Sequence, residues 1–175
     1  MAAMKKEQIM ILGTGNTLFT DEGFGVRVME ALADRYHFPE NVTLVDGGVL
    51  GINLLGIISQ ADRLIVIDAI RSRGNPGDFY RLEGDAIPAR IRAKNSLHQI
   101  DLLEALTLCQ ALDKVPDTVV LGIEPEDIDT LSTEMTPAIS QKVEPMIEMV
   151  LAELKRLHVL VRPREVKDDV PRHPI

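Results

Sequence analysis

The feature of this sequence that most constrains its fold is a series of short, continuous apolar runs, each followed at once by a glycine turn or closed by an aspartate. Three of these runs lie in the first half of the chain, at Ile9–Leu12, Val42–Val45 and Arg63–Asp68. Such runs are typical of strands that are buried on both faces of a parallel sheet. The sequence therefore predicts an α/β protein whose strands are joined by crossover connections.

Segments with helical periodicity separate the predicted strands. Apolar side chains at Phe24, Val28, Leu32 and Tyr36 form one stripe. Four helices are predicted: one that follows a cap at Thr20, one over Leu50–Ser59, one that begins at Leu97, and one from Thr136-Pro137 to about Leu157. Two further strands are predicted at Phe79–Leu82 and Thr118–Ile123. The strand at Phe79 is expected at a sheet edge, where an antiparallel direction is tolerated. The predicted fold has three layers, with helices on both faces of an open, twisted, mostly parallel sheet.

Chain length and composition indicate one globular domain. The 175 residues are 45% apolar and 26% charged, as in an ordinary soluble protein. We expect the α/β domain to occupy residues 1–160 and to act as a monomer, because a core of this size needs no obligate partner. Residues 161–175 are charged and contain proline, so a flexible tail is expected there.

Charge and cysteine usage exclude several classes of function. The net charge is −8, which opposes attraction to a phosphate backbone, so nucleic acid is not an expected partner. No segment approaches the roughly 20 apolar residues of a membrane span, and the apolar run after the basic N-terminus is too short for a signal peptide. The one cysteine, Cys109, suits a reducing compartment. We expect a cytoplasmic protein that does not bind membranes.

Three potential metal ligands follow separate predicted strands. Glu22 comes after the first glycine turn, Asp68 ends the strongest strand, and His98 lies in the first turn of the helix that begins at Leu97. Because ligands of open α/β sheets bind beyond the carboxyl ends of the strands, these side chains are expected at one rim. Two carboxylates and one imidazole can bind nickel, zinc, cobalt or manganese and leave coordination positions open for a substrate.

Each of these residues also has a structural explanation. A strand-ending aspartate can accept backbone N–H groups, a glutamate in a first helical turn can complement the helix dipole, and a histidine beside a cap can be solvated. For any one residue taken singly, the structural explanation is favoured. Asp46 presents the same choice: at the end of the second strand it can orient a reacting group, or simply form a turn before Gly47 and Gly48.

The first glycine turn also opens the fingerprint of dinucleotide-binding proteins. Gly13-Thr14-Gly15 follows a strand, and Asp46 stands where a ribose-binding acid would lie. However, Leu18 takes the place of the third glycine, and Asp21 and Glu22 bring negative charge to the position of a pyrophosphate. The sequence disfavours a nucleotide-binding enzyme, and it predicts no cofactor-binding residues.

Five ordered blocks of the sequence resemble the hydrogenase maturation endopeptidases. They are Ile11–Arg27, Val45-Asp46-Gly47-Gly48, Ile67-Asp68-Ala69, Ser96-Leu97-His98-Gln99 and Gly122-Ile123-Glu124-Pro125. The resemblance extends from about Gln8 to Leu157. It implies a phosphorylase/hydrolase-like open sheet, in agreement with the fold predicted above.

The resemblance implies that Glu22, Asp68 and His98 bind metal. In that family the nickel belongs to the substrate, because the protease removes the C-terminal extension of the nickel-iron hydrogenase large-subunit precursor after nickel insertion. The expected partner is that precursor, the expected cofactor is the nickel it carries, and zinc or cadmium can occupy the same ligands. Asp46 is the candidate for a catalytic side chain. A chaperone that senses nickel without cutting is the other alternative.

Overall fold

The protein has a central sheet with helices on both faces. A computed structural model describes residues 6–48, 53–87 and 115–165. The strands are β1 (Ile9–Thr14), β2 (Tyr36–His37), β3 (Val42–Gly48), β4 (Arg63–Ala69), β5 (Phe79–Glu83), β6 (Asp117–Ile123) and β7 (Arg162–Pro163). The helices are α1 (Phe24–Arg35), α2 (Asn53–Ile58), α3 (Pro137–Ser140) and α4 (Val143–Arg156), and a short 3-10 helix (Thr20–Gly23) precedes α1.

The main sheet has the strand order β3-β1-β4-β6-β5. The β1–β3, β1–β4 and β4–β6 pairs are parallel, whereas β5 pairs antiparallel with β6. The predicted strands and the antiparallel edge strand are therefore confirmed. Because four strands run in the same direction, their carboxyl ends meet at one edge, which is where the predicted site residues were expected.

Two apolar clusters fill the space on the two faces of the sheet. Alternate residues of each strand contribute to opposite clusters, so that Ile11 and Ile67 face α1 and α4 while Leu12 and Val66 face α2. The buried members from the helices on the first face are Phe24, Val28, Leu32, Ile139, Met146, Ile147, Val150 and Leu154. The three-layer arrangement and the predicted apolar stripes of α1 and α4 are confirmed.

The start of α1 differs from the prediction. Thr20 does not cap this helix; its hydroxyl instead donates to the carbonyl oxygen of Thr130 at 2.7 Å. The α-helix begins only at Phe24, and Gly23 occupies the N-cap position without a side-chain hydrogen bond. The cap prediction was wrong because the Thr20 hydroxyl binds a segment that is distant in sequence. Residues Thr20–Gly23 form a 3-10 turn before the α-helix begins.

The remaining helix predictions are met in part. The predicted closing helix is divided into α3 and α4, and Pro137 occupies the first turn of α3 as expected. The second predicted helix is described only over Asn53–Ile58. The helix expected to begin at Leu97, together with Cys109, lies outside the described residues.

An ion pair joins the edge strand β5 to α4. Glu153 is buried, and its carboxylate accepts from Nε of Arg81 at 2.5 Å and from a guanidinium nitrogen of Arg156 at 2.9 Å. The hydrogen bond to Glu153 is the main cause that raises the pKa of Arg81 above its ordinary value. This contact joins α4 to the edge of the sheet, where β6 separates β5 from the strand of Asp68.

The segment after α4 returns to the end of α1. β7 pairs antiparallel with β2, and the backbone N–H of Arg164 donates to the carbonyl oxygen of Arg35 at 2.7 Å. Residues 162–164 of the predicted flexible tail thus form a ladder with the domain, and residues 166–175 lie outside the described range. None of the helices in the described ranges has the length and hydropathy of a membrane-spanning segment.

Candidate active site

The glycine loop after β1 is packed against the turn that carries Glu22. Gly15 has a φ of +120°, and a Cβ placed there would lie 1.8 Å from the carbonyl oxygen of Glu22. Only glycine permits both this backbone conformation and this close approach. The space beside Gly15 is therefore filled by the protein's own backbone, which removes the room that a dinucleotide pyrophosphate would need.

The beginning of α1 lies directly on the end of β4. A Cβ at Gly25 would be 2.0 Å from the carbonyl oxygen of Ile67, and the hydroxyl of Thr14 donates to the same oxygen at 3.2 Å. Ile67 immediately precedes Asp68 in β4. Close packing of glycine thus brings the loop of β1, the turn with Glu22 and the carboxyl end of β4 together.

Two of the three predicted metal ligands belong to this assembly. Asp68 is 2% exposed and pairs in register with Gly122 of β6. Glu22 is half-buried in the 3-10 helix, which contacts β4. The sheet therefore brings both carboxylate residues to one end, as the sequence predicted from their positions after separate strands.

The third predicted ligand, His98, lies outside the described residues. Within the described ranges, no group of three or more His, Cys, Asp or Glu side chains forms a metal-binding cluster. The three-ligand set of Glu22, Asp68 and His98 therefore stays a prediction. Two carboxylates at one rim supply ligands of the class that divalent metals accept, and a third ligand from another loop would complete the set.

Asp46 lies on a strand that is not adjacent to the strand of Asp68. The sequence places it at the end of the second strand, but β3 continues through Asp46 to Gly48. Asp46 is exposed and pairs in register with Gly13, so β1 separates it from the strand of Asp68. Strand alternation also directs it to the face of α1, opposite to the face of Asp68. Its catalytic role stays a prediction.

Asp21 is a residue that the sequence interpretation missed. Its side chain is 0% exposed. Oδ2 accepts the backbone N–H groups of Glu126 at 3.0 Å and Asp127 at 2.9 Å, and Oδ1 accepts that of Thr136 at 2.8 Å. These partners lie 105 to 115 residues away along the chain. No local pattern could reveal them, because the donors belong to a segment that is distant in sequence.

A family comparison bears directly on this arrangement. A family model described as HycI, hydrogenase maturation protease, matches residues 26–153. This match covers well over half of the chain. The chain belongs to the hydrogenase maturation protease family. The matched range includes Asp46, Asp68 and His98, and it begins after Glu22.

Relatives of known name agree with this family. The chain is 39% identical over 164 residues to the hydrogenase 2 maturation protease of Escherichia coli, covering 93% of this chain and 99% of that protein. It is 40% identical over 160 residues to the hydrogenase expression/formation protein HupD of Thiocapsa roseopersicina, covering 90% of this chain and 72% of that protein. Among solved structures, the hydrogenase maturating endopeptidase HybD from Escherichia coli matches with a TM-score of 0.86 at 37% identity, covering 90% of this chain and 98% of that one.

A second buried acid of this maturation protease corrects the sequence interpretation. In the sequence, four acids follow the last strand, and they are most simply interpreted as a solvated turn that could also meet a basic stretch of a partner: Glu124, Glu126, Asp127 and Asp129. The structure shows that Glu124 is instead 5% exposed, and its Oε2 accepts the backbone N–H of Ser72 at 2.7 Å and the hydroxyl of Tyr80 at 2.6 Å. Glu124 thus orders the loop that leaves β4 just after Asp68.

The other three acids of that stretch are closer to expectation. Glu126 and Asp129 are exposed, and Asp129 pairs with Arg71 at 3.0 Å. The carboxylate of Asp127 accepts from Asp129 and Thr130 within its own turn, and these hydrogen bonds lower its pKa. The stretch after β6 is therefore a structured turn in which the buried and the exposed acids have different roles.

Proposed function

We propose that this hydrogenase maturation protease removes the C-terminal extension of the nickel-iron hydrogenase large-subunit precursor after nickel insertion. Family membership and the relatives' names support an endopeptidase that acts in hydrogenase maturation. The observation that carries the proposal for this chain is the meeting of the Glu22 turn with the end of β4 at Asp68. The protease is proposed to act in the cytoplasm as a monomer.

Recognition in this proposal depends on metal that the precursor presents. Glu22 and Asp68 would supply carboxylate oxygens and His98 an imidazole nitrogen, so the set keeps open positions for ligands that remain on the precursor. A precursor without nickel makes no such bonds and is bound more weakly, which spares it from cutting. The metal would also polarise the scissile carbonyl or activate a water molecule.

The side chains differ in how they can meet this metal. Glu22 is half-buried on a turn, so an incoming precursor can reach it without rearrangement of the core. Asp68 is nearly inaccessible at 2% exposure, so its position is set by the sheet rather than by the substrate. Asp68 is a rigid ligand on a strand, and Glu22 is a more accessible ligand on a turn. This combination is suited to binding a metal that is held in a fixed position.

The first test compares nickel-loaded precursor with precursor that lacks nickel. Mass spectrometry of the products is expected to show loss of the C-terminal extension from the loaded form and at least about tenfold slower cutting of the other, since each 1.4 kcal/mol of differential binding gives a factor of ten. Equal cutting of both forms would contradict metal recognition. A stable complex without any cutting would favour a nickel-sensing chaperone instead.

A further inference from the structure

Among the described residues, the side-chain partners of the Asp21 carboxylate all belong to one loop, which connects β6 to α3 and is called here the 124–136 loop. Besides the three backbone N–H groups, the hydroxyl of Thr136 donates to it at 3.0 Å. An ionised carboxylate has about four acceptor positions, so these four donors saturate it. Asp21 therefore has no acceptor position left for a metal, although it adjoins Glu22.

The contacts of Asp21 are part of a longer seam between two segments. The backbone N–H of Asp21 donates to the carbonyl oxygen of Asp127 at 3.0 Å. The backbone N–H of Ser132 donates to the carbonyl oxygen of Leu18 at 2.9 Å. Phe19 forms a bridge with Leu131. The carboxylate is the buried centre of this seam, because it joins both ends of the 124–136 loop at one point.

The same seam determines where Glu22 lies. Asp21 and Glu22 are consecutive in one 3-10 turn, and the backbone N–H of Glu22 donates to the carbonyl oxygen of Phe19 at 2.9 Å. On its other side, the Glu22 backbone touches Gly15. The turn is thus held between the loop of β1 and the 124–136 loop, which leaves it little freedom to shift relative to Asp68.

We propose that Asp21 is a positioning residue, which sets the place of Glu22 at the reaction site by anchoring its turn to the 124–136 loop. This inference rests on the proposed function of the site. Asparagine is close in size, yet it offers one acceptor oxygen and turns an NH2 group toward N–H donors. Asp21→Asn should therefore loosen the seam without leaving a cavity.

The test compares Asp21→Asn with Glu153→Gln. Both changes neutralise a buried carboxylate, but Glu153 lies on α4 and binds Arg81 and Arg156. At a temperature where circular dichroism shows both variants folded, Asp21→Asn is expected to lower kcat for the nickel-loaded precursor about tenfold, with a smaller change in KM, because small displacements of a reacting group are costly. Glu153→Gln should lower Tm yet keep kcat within about twofold.

Hydrogen exchange gives a readout that needs no substrate. In Asp21→Asn, amide exchange is expected to accelerate at least about tenfold in residues 18–23 and 124–136 and to be unchanged in the core strands, since local opening reports local stability. Glu153→Gln should leave these two segments protected. Unchanged exchange there, or kcat within about twofold of wild type, would overturn the role of Asp21. If the wild-type protein cuts no precursor, the proposed function fails, and the exchange comparison still decides the role of Asp21.

Discussion

Replacing Asp68 with asparagine is expected to slow cutting of the nickel-loaded precursor by at least about 100-fold, with the fold retained. Asparagine nearly matches the volume of this buried side chain, but its neutral amide is a weak ligand for a divalent ion. A loss of about 100-fold corresponds to about 2.7 kcal/mol of transition-state free energy, within the several kcal/mol that a metal ion supplies. Mass spectrometry gives the rate, and circular dichroism checks the fold.

The other two predicted ligands should respond in the same way. Glu22→Gln and His98→Ala are each expected to lose about as much activity, because each removes one ligand of the same metal. Asp117→Asn is the matched control, since Asp117 forms an exposed ion pair with Arg63 at the opposite end of the sheet. It should stay within about twofold of wild type, as exposed ion pairs contribute little. Wild-type cutting by Asp68→Asn would exclude the proposed metal site.

Replacing Gly25 with alanine is expected to lower the free energy of unfolding by about 3 kcal/mol, because a methyl group at this position would clash with backbone atoms. Its Cβ would lie 2.0 Å from the carbonyl oxygen of Ile67 and 2.5 Å from that of Thr14. Both neighbours are backbone atoms of central strands, so relief requires α1 to move away from the sheet. For a chain of this size, that loss lowers Tm by roughly 6–12 °C.

Gly56→Ala separates this steric effect from the general effect of alanine in a helix. Gly56 is also helical, in α2, but among the described residues a Cβ there would meet no atom within 4 Å. Alanine is about 1 kcal/mol better than glycine in a helix, so this variant should melt at or above the wild-type temperature. Equal Tm values for the two variants in a calorimetric scan would contradict the packing argument for Gly25.

The sequence was sufficient to predict the layers of the fold because their signals are local. The run Arg63–Ile67 is apolar and β-branched, which favours a buried strand whatever surrounds it, and the spacing of Phe24, Val28 and Leu32 defines a helix face. The glycine turn after β1 was found in the same way. These signals also placed Glu22 and Asp68 at one rim, because the direction of parallel strands determines where their ends lie.

The parts that could not be predicted depend on partners far along the chain. Asp21 and Glu124 are acids whose local sequence predicts exposure to solvent. Each is instead buried, and each accepts hydrogen bonds from a loop that is distant in sequence. Thr20 has the local sequence of a cap but bonds to Thr130 instead. Asp46 precedes two glycines, a pattern typical of a turn, although pairing with β1 keeps it in a strand. In each case tertiary contacts outweigh local preference.

The hydrogen bonds of the Asp21 carboxylate determine which positions of the 124–136 loop can change in sequence. Three of its four donors are main-chain amides, which every amino acid except proline provides. Side chains between residues 128 and 135 can thus be exchanged while the attachment of the segment persists. The sequence of this stretch can therefore change without disturbing the acid that precedes Glu22.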